Sequence, residues 1–335
     1  MRFVSPTQST SARPPTRTAA AFVGVLATAS LATSSPALDA QDANPALPQT
    51  LSTIRAQIEH GDLPAAEAAL RRNLAAQPAS SADPHLLLGY VLFRQRRPAE
   101  SLAEYTVAAR LREPSPADLT VVASDYVLLN DYTDAERWLL RATSQAPTDA
   151  HLWYLLGRTR YNEDHPAAAV EAFTQCLKLH PDDARAEYNL GLAYEHLDQP
   201  EKAVAAYRTA IAWQQSSGIR DPQPYLDLGK LLLAQRHPEQ ALDPLEKAAQ
   251  AGPDNALAQQ ELGVAYEALG RYAEAVSPLR RAASLAPTAE QPHFILGRVL
   301  RHLGRTEEAK SEFAAVSRLA GSRSSTETPN SDQKP

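Results

Sequence analysis

The sequence has few of the residues that usually staple or anchor a fold. Among 335 residues there is one cysteine, Cys176. It excludes any internal disulfide and any zinc site built from four cysteines. Aromatic residues make up only 6% and alanine is abundant, which favours helices packed through small side chains over a β-sandwich. Positive charge is not in excess: 33 Lys and Arg face 39 Asp and Glu, for a net charge of −6. The electrostatic footprint of a nucleic-acid binder is therefore missing. Catalytic signatures are missing too. There is no phosphate-cradling Gly-rich loop, no nucleophile elbow and no zinc-binding H-E-x-x-H helix. No cofactor and no metal site are expected, and the chain does not read as an enzyme.

Long apolar runs are also rare, and the main one lies at residues 19–32, AAAFVGVLATASLA. It follows Arg2, Arg13 and Arg17, and the first acidic residue is Asp39. A positive segment, a short apolar stretch and then small residues have the order of a secretory signal, with cleavage after Ala37 or Ala40. Residues 1–40 are thus expected to export the chain to the periplasm or the extracellular space. An uncleaved amino-terminal anchor or an organelle transit peptide is the alternative. The run is short of the ~20 residues that span a bilayer, so no stable membrane span is expected after cleavage.

Length alone suggests roughly two globular domains of about 150 residues each. Periodicity replaces that expectation. Gly89, Gly157, Gly191, Gly229, Gly263 and Gly297 each follow a leucine, and Ala123 fills the slot between the first two. Twelve residues after each comes Ser101, Ala135, Ala169, Ala203, Ala241, Ala275 or Ala309. Four further on comes Tyr105, Leu139, Phe173, Tyr207, Leu245, Leu279 or Phe313. The spacing is 34 residues, except for 38 between Gly191 and Gly229. A degenerate first copy carries Ala66 and Leu70, with Ile54 where the others have a small residue. Large and small residues recur at helical spacing around a central turn, so each copy reads as two amphipathic helices. Proline near the end of a copy, as at Pro147, Pro181, Pro253 and Pro287, closes the second helix. Pro244 and Pro278 fall inside second helices, where the bond they forfeit is expected to belong to the first turn. The four extra residues around Gln214–Asp221 predict either a longer second helix or a longer exit loop, and either a tolerated insertion or a joint.

With Leu-Gly at positions 7 and 8, Ala at 20, a large residue at 24 and Pro at 32, this pattern resembles the tetratricopeptide repeat. The copy ELGVAYEALGRYAEAVSPLRRAASLAP matches almost every slot. The resemblance implies an all-α fold, a right-handed superhelical α-solenoid of about eight 34-residue helix-turn-helix repeats. The repeats fall near 47–80, 82–115, 116–149, 150–183, 184–221, 222–255, 256–289 and 290–321. Residues 322–335 read as a polar, disordered tail. A final helix with Phe313, Val316 and Leu319 and no cap would leave an apolar edge, which invites self-association or a partner.

The resemblance also implies that the first helices line a concave groove through positions 2, 5, 9, 12 and 13. On this sequence that selects Tyr90 and Arg94 with Phe93, then Tyr154, Arg158, Tyr161 and Asn162. It also selects Tyr188, Glu195 and His196 with Arg185, and Arg298 and Arg301 with Phe294 and His302. Tyr and Arg together have the composition of a binding hot spot. Position 9 holds no Asn, so the carboxylate clamp of chaperone-tail-binding members is not expected. Cys176 falls in a small inward slot and reads as a buried, inert thiol. The nine histidines read as exposed structural residues. The expected function is an exported, non-catalytic scaffold that binds a protein or peptide segment in the groove, with no nucleic-acid partner. The alternative is an accessory or carbohydrate-binding subunit of an envelope or polysaccharide-processing enzyme complex, with Tyr154, Tyr161 and Tyr188 stacking on sugar rings.

Overall fold

A computed structural model describes residues 50–76 and 81–326. The expected signal segment and the last nine residues of the expected tail lie outside that range. Every regular element among the described residues is an α-helix, and the helices come in consecutive pairs. The pairs are α1 (Leu51–Glu59) with α2 (Leu63–Ala76) and α3 (Ala82–Arg94) with α4 (Pro98–Leu111), followed in sequence by α5 (Pro116–Leu128) and α6 (Tyr132–Gln145). Next come α7 (Ala150–Asn162) with α8 (Pro166–Leu179), α9 (Ala184–His196) with α10 (Pro200–Ser217), and α11 (Gln223–Ala234) with α12 (Pro238–Ala251). The last are α13 (Ala256–Ala268) with α14 (Tyr272–Leu285), and α15 (Glu290–His302) with α16 (Thr306–Thr326). The helices divide into two compact units that meet in sequence at Leu129 and Asn130. The division falls inside the third repeat, and the second unit runs without a break through the insertion near Gly218.

Local chemistry sets the helix ends. Ser81, Asp149, Asp183 and Asn255 cap first helices by accepting backbone N–H bonds, and Ser115 forms a full capping box with Asp118. Four second helices start on a proline, at Pro98, Pro166, Pro200 and Pro238, where the missing N–H costs nothing. Between the helices, position 15 of every repeat has positive φ: Gly61, Arg96, Asn130, Asp164, Asp198, Arg236, Gly270 and Gly304. The next residue's N–H reaches back five residues, as from Arg97 to the Leu92 carbonyl at 3.0 Å and from His165 to that of Arg160 at 2.9 Å. Where it forms, this left-handed closure satisfies the last carbonyls of the first helix.

In the repeats that carry glycine at position 8, the two helices touch through it. A Cβ on Gly157 would stand 2.6 Å from the Phe173 ring, and one on Gly191 would stand 2.5 Å from Tyr207. Phe173, Tyr207, Leu245 and Leu279 are fully buried in these slots, as are the alanines at position 20. Cys176 is buried among them, and burial pushes its thiol up to about 11, as expected of an inert residue.

Three expectations change in detail. The four extra residues lengthen α10 to 18 residues, against 14 in α8 and α12, and Gly218 closes it with φ +73°. Pro244 and Pro278 stand at the seventh residue of α12 and α14, past the free donors of the first turn. Each therefore removes a genuine ladder bond, to the carbonyls of Gln240 and Glu274. Finally, α16 runs on to Thr326, beyond the position where the array was expected to end.

Candidate functional site

In the second unit, successive first helices approach one another at α7–α9, α11–α13 and α13–α15. Side chains at the expected groove positions meet across these lines. Arg185 on α9 lies 5.1 Å above the Tyr154 ring on α7, and Arg158 lies 5.8 Å from the same ring. Asp183 holds Arg185 in place at 3.1 Å. Burial acts to raise the Asp183 carboxyl, but the Arg185 guanidinium and the backbone N–H groups of Arg185 and Ala186 more than offset it, and the carboxyl is lowered.

Two turns further along α7, the edge of the Tyr161 ring meets His196 at 5.9 Å between centroids, and His196 Nε2 lies 3.0 Å from Asp164. Tyr188 on α9 donates its hydroxyl to Asp227 on α11 at 2.7 Å. The same carboxylate accepts from Gln223 at 2.9 Å and from Lys230 at 3.2 Å. Burial, followed by the Asp227 charge, raises the Tyr188 hydroxyl well above its usual range, so it stays a donor at any physiological pH. Glu195 accepts from the buried Tyr207 at 2.9 Å. The result is a half-buried patch of tyrosine, histidine and carboxylate on the first-helix face of α7, α9 and α11, flanked by Arg158 and Lys230. A surface of this kind can hold a peptide backbone by hydrogen bonds and a side chain by ring contact.

The sequence-selected residues do not all share this patch. Tyr154 is buried, so the Arg158 and Arg185 guanidinium groups lie over its ring. Asn162 is exposed beside Tyr161 on α7. Tyr90 and Arg94 lie on α3 in the first unit, where Arg94 donates to the Tyr90 hydroxyl at 3.0 Å. Arg298 on α15 donates to Glu267 on α13 at 2.9 Å and stands over the exposed Phe294. Arg301 reaches over Phe313, and His302 stacks on Tyr272 at 4.4 Å. Asp227, which gathers the centre of the patch, was not among the expected groove residues. It occupies position 6 of its repeat, and only its tyrosine partner reveals it.

The expectation that all nine histidines are exposed does not hold. His85 and His293 are half-buried and each lies 2.6 Å from a carboxylate, Glu104 and Glu312 respectively. At the turn between α7 and α8, Glu163 and His165 gather with Glu136 of α6 within 4.8 Å of one another. Among the described residues no helix is long and apolar enough to cross a membrane.

Models of the tetratricopeptide repeat match residues 51–116, 154–218, 226–290 and 291–315, more than half of the chain. The chain belongs to the tetratricopeptide repeat family. Two curated relatives are matched over short stretches. One is a BBSome complex member from Bos taurus, 29% identical over 119 residues, which are 36% of this chain and 21% of that protein. Another is the peroxisomal targeting signal receptor of Candida albicans, 32% identical over 78 residues, which are 23% of this chain and 13% of the receptor. The match spans about a fifth or less of either relative. Among solved structures, the C-terminal part of a tetratricopeptide-repeat protein from Cytophaga hutchinsonii superposes with a TM-score of 0.61 at 15% identity, covering 74% of this chain and 99% of that one. YrrB, described as a repeat protein with an unusual peptide-binding site, gives a TM-score of 0.50 at 18% identity over 54% of this chain and 91% of its own. At these identities the likeness establishes the fold.

Proposed function

We propose that this tetratricopeptide-repeat chain is a non-catalytic interaction scaffold whose first-helix face around α7, α9 and α11 binds an extended or helical segment of a partner protein. The observation that carries the reading is the cluster of Tyr161, His196, Tyr188 and Asp227. It is a polar aromatic surface on α7, α9 and α11, tied across repeats by a ring contact and a hydrogen bond. Such ties hold the side chains in place before a ligand arrives and reduce the ordering cost of binding. Family membership supports the choice, and so does the description of YrrB as peptide-binding, although that description belongs to YrrB.

Selection from a random peptide library tests the reading. The recovered peptide should bind the wild type and lose on the order of tenfold affinity in Tyr161→Ala or His196→Ala, while Trp213→Ala on α10, away from this face, should leave it unchanged. Affinity for glycan oligomers with no peptide recovered would favour the carbohydrate-binding subunit instead. The burial of Tyr154 argues against that reading, since sugar stacking needs an open ring face.

Export is part of the same proposal and rests on the order of charge and apolar residues within 1–40. Mass spectrometry of the mature terminus should find cleavage after Ala37 or Ala40. Self-association through α16 is also proposed, and light scattering of wild type and Val316→Asp tests it. Phe313 is unsuitable for that test, because its ring fills the space in front of Gly297 and its removal would undo the repeat.

A further inference from the structure

Position 21 of one repeat and position 14 of the next are usually both apolar in this chain: Val170 and Leu197, Leu242 and Leu269, Val276 and Leu303. Val276 and Leu303 lie in one apolar cluster. At the first junction the two positions are polar, Glu67 and Gln95, and position 16 supplies Arg97. Its guanidinium donates to Glu67 Oε2 and to Gln95 Oε1, each at 2.8 Å. That junction carries its own cation.

Between the third and fourth repeats the same three positions hold Glu136, Glu163 and His165. All three lie in the second unit. Two carboxylates now stand where most other junctions are apolar, and the long guanidinium of the first junction is replaced by a short imidazole. Arg160 donates to Glu136 Oε1 at 2.7 Å and balances one negative charge. Thr133 donates to Glu163 Oε1 at 2.5 Å. Glu163 Oε2 is shielded from solvent and accepts no hydrogen bond. His165 Nδ1 stands 3.6 Å from it, beyond hydrogen-bond reach. A buried carboxylate oxygen without a donor is costly unless a cation completes it.

We propose that Glu136, Glu163 and His165 bind a divalent transition-metal ion in the place that the Arg97 guanidinium takes at the first junction. One imidazole and two carboxylate oxygens suit Zn²⁺, for which three protein donors leave a fourth position to water or to a partner's side chain. Metal–ligand bonds of about 2.0–2.2 Å put neighbouring donors roughly 3–4 Å apart. The Glu163–His165 separation is already in that range, and all three donors lie within 4.8 Å of one another, so a small contraction completes the site. The ion would tie α6 to the turn between α7 and α8.

Calorimetric titration of the metal-free full chain with Zn²⁺, together with the visible absorption of Co²⁺ as a stand-in, tests the site. The expected result is one ion per chain, with affinity lowered on the order of tenfold or more in Glu163→Gln and in His165→Ala, and no change in His180→Ala, an exposed histidine elsewhere. Thermal melts of the metal-free variants separate loss of ligand from loss of fold. His165 is largely exposed, so its substitution leaves packing intact and keeps the test decisive should Glu163→Gln perturb folding. Absence of binding would overturn the proposal. So would binding that Glu163→Gln and His165→Ala leave unchanged, which would mark adventitious capture by surface histidines.

Discussion

Single residues in this chain carry two kinds of strain. Arg96 and Arg236 sit in the left-handed region at φ 59° and 63°, where three other repeats place glycine. A side chain there costs about 1–2 kcal/mol, while glycine loses about 0.5–1 kcal/mol through added freedom in the unfolded chain. Arg236→Gly should therefore stabilise the protein by about 0.5–1 kcal/mol in urea unfolding, and Gly304→Ala should destabilise it by a similar amount. At position 8 the constraint is steric. Gly191→Ala puts a methyl group 2.5 Å from the fully buried Tyr207 ring and should cost about 1–3 kcal/mol in the same measurement, despite alanine's better helix propensity.

Asp125 is strained electrostatically. It is completely buried in the first unit, and burial pushes its carboxyl up to about 7, with only the nearby Ser101 hydroxyl opposing. Between the unfolded value of about 3.9 and this folded value, the native state holds a proton that the unfolded state has released. Stability should fall as pH rises through that interval and level off above it. The total is on the order of 4 kcal/mol. Asp125→Asn should flatten the profile and be the more stable protein at pH 8, as measured by denaturant melts at several pH values. Neither the left-handed arginines nor this carboxylate could be read from the sequence as strained. The first depends on the backbone path of the turn and the second on what surrounds α5.

Among the elements, the sequence located nearly every helix, because apolar and small residues kept one register over successive copies and proline or glycine marked the ends. What it left open was decided by neighbours. The insertion before Asp221 became one extra helical turn because Gln214 is buried and donates to the Asp221 carbonyl at 2.7 Å, which fixes the exit from α10. Helix starts respond to pH in the opposite sense to Asp125. Asp183 caps α9 through the N–H groups of Arg185 and Ala186, and its carboxyl lies below the usual range. Its contribution is present above the unfolded carboxylate value and disappears as pH falls through the folded one. Asp183→Ala should cost about 1 kcal/mol at neutral pH and much less in strong acid.

For the whole molecule, periodicity replaced the expectation of two globular domains with an array of helix pairs. The division between compact units, at Leu129 and Asn130, then fell in a repeat that looks regular in sequence. The site was partly legible. Tyr161, Tyr188 and His196 were expected on the groove face and are found in one cluster. Asp227, one of its anchors, lies 39 residues from Tyr188, and the insertion displaces that spacing from any simple repeat offset. Tyr154 was expected to be open, but its ring lies under Arg185 from the next repeat, a contact that no single repeat encodes.

The central claim is that the first-helix face of the second unit is where a partner segment binds. Site-specific photocrosslinking tests it most directly, with the reactive side chain placed in turn at Tyr161 and His196 on the first helices and at Leu140, Trp213 and Arg280 on the second helices. The expected result is a discrete protein adduct from Tyr161 and His196 only, competed away by the peptide recovered in library selection. Equal adducts from both sets of positions, or a discrete adduct confined to the second helices, would contradict the claim.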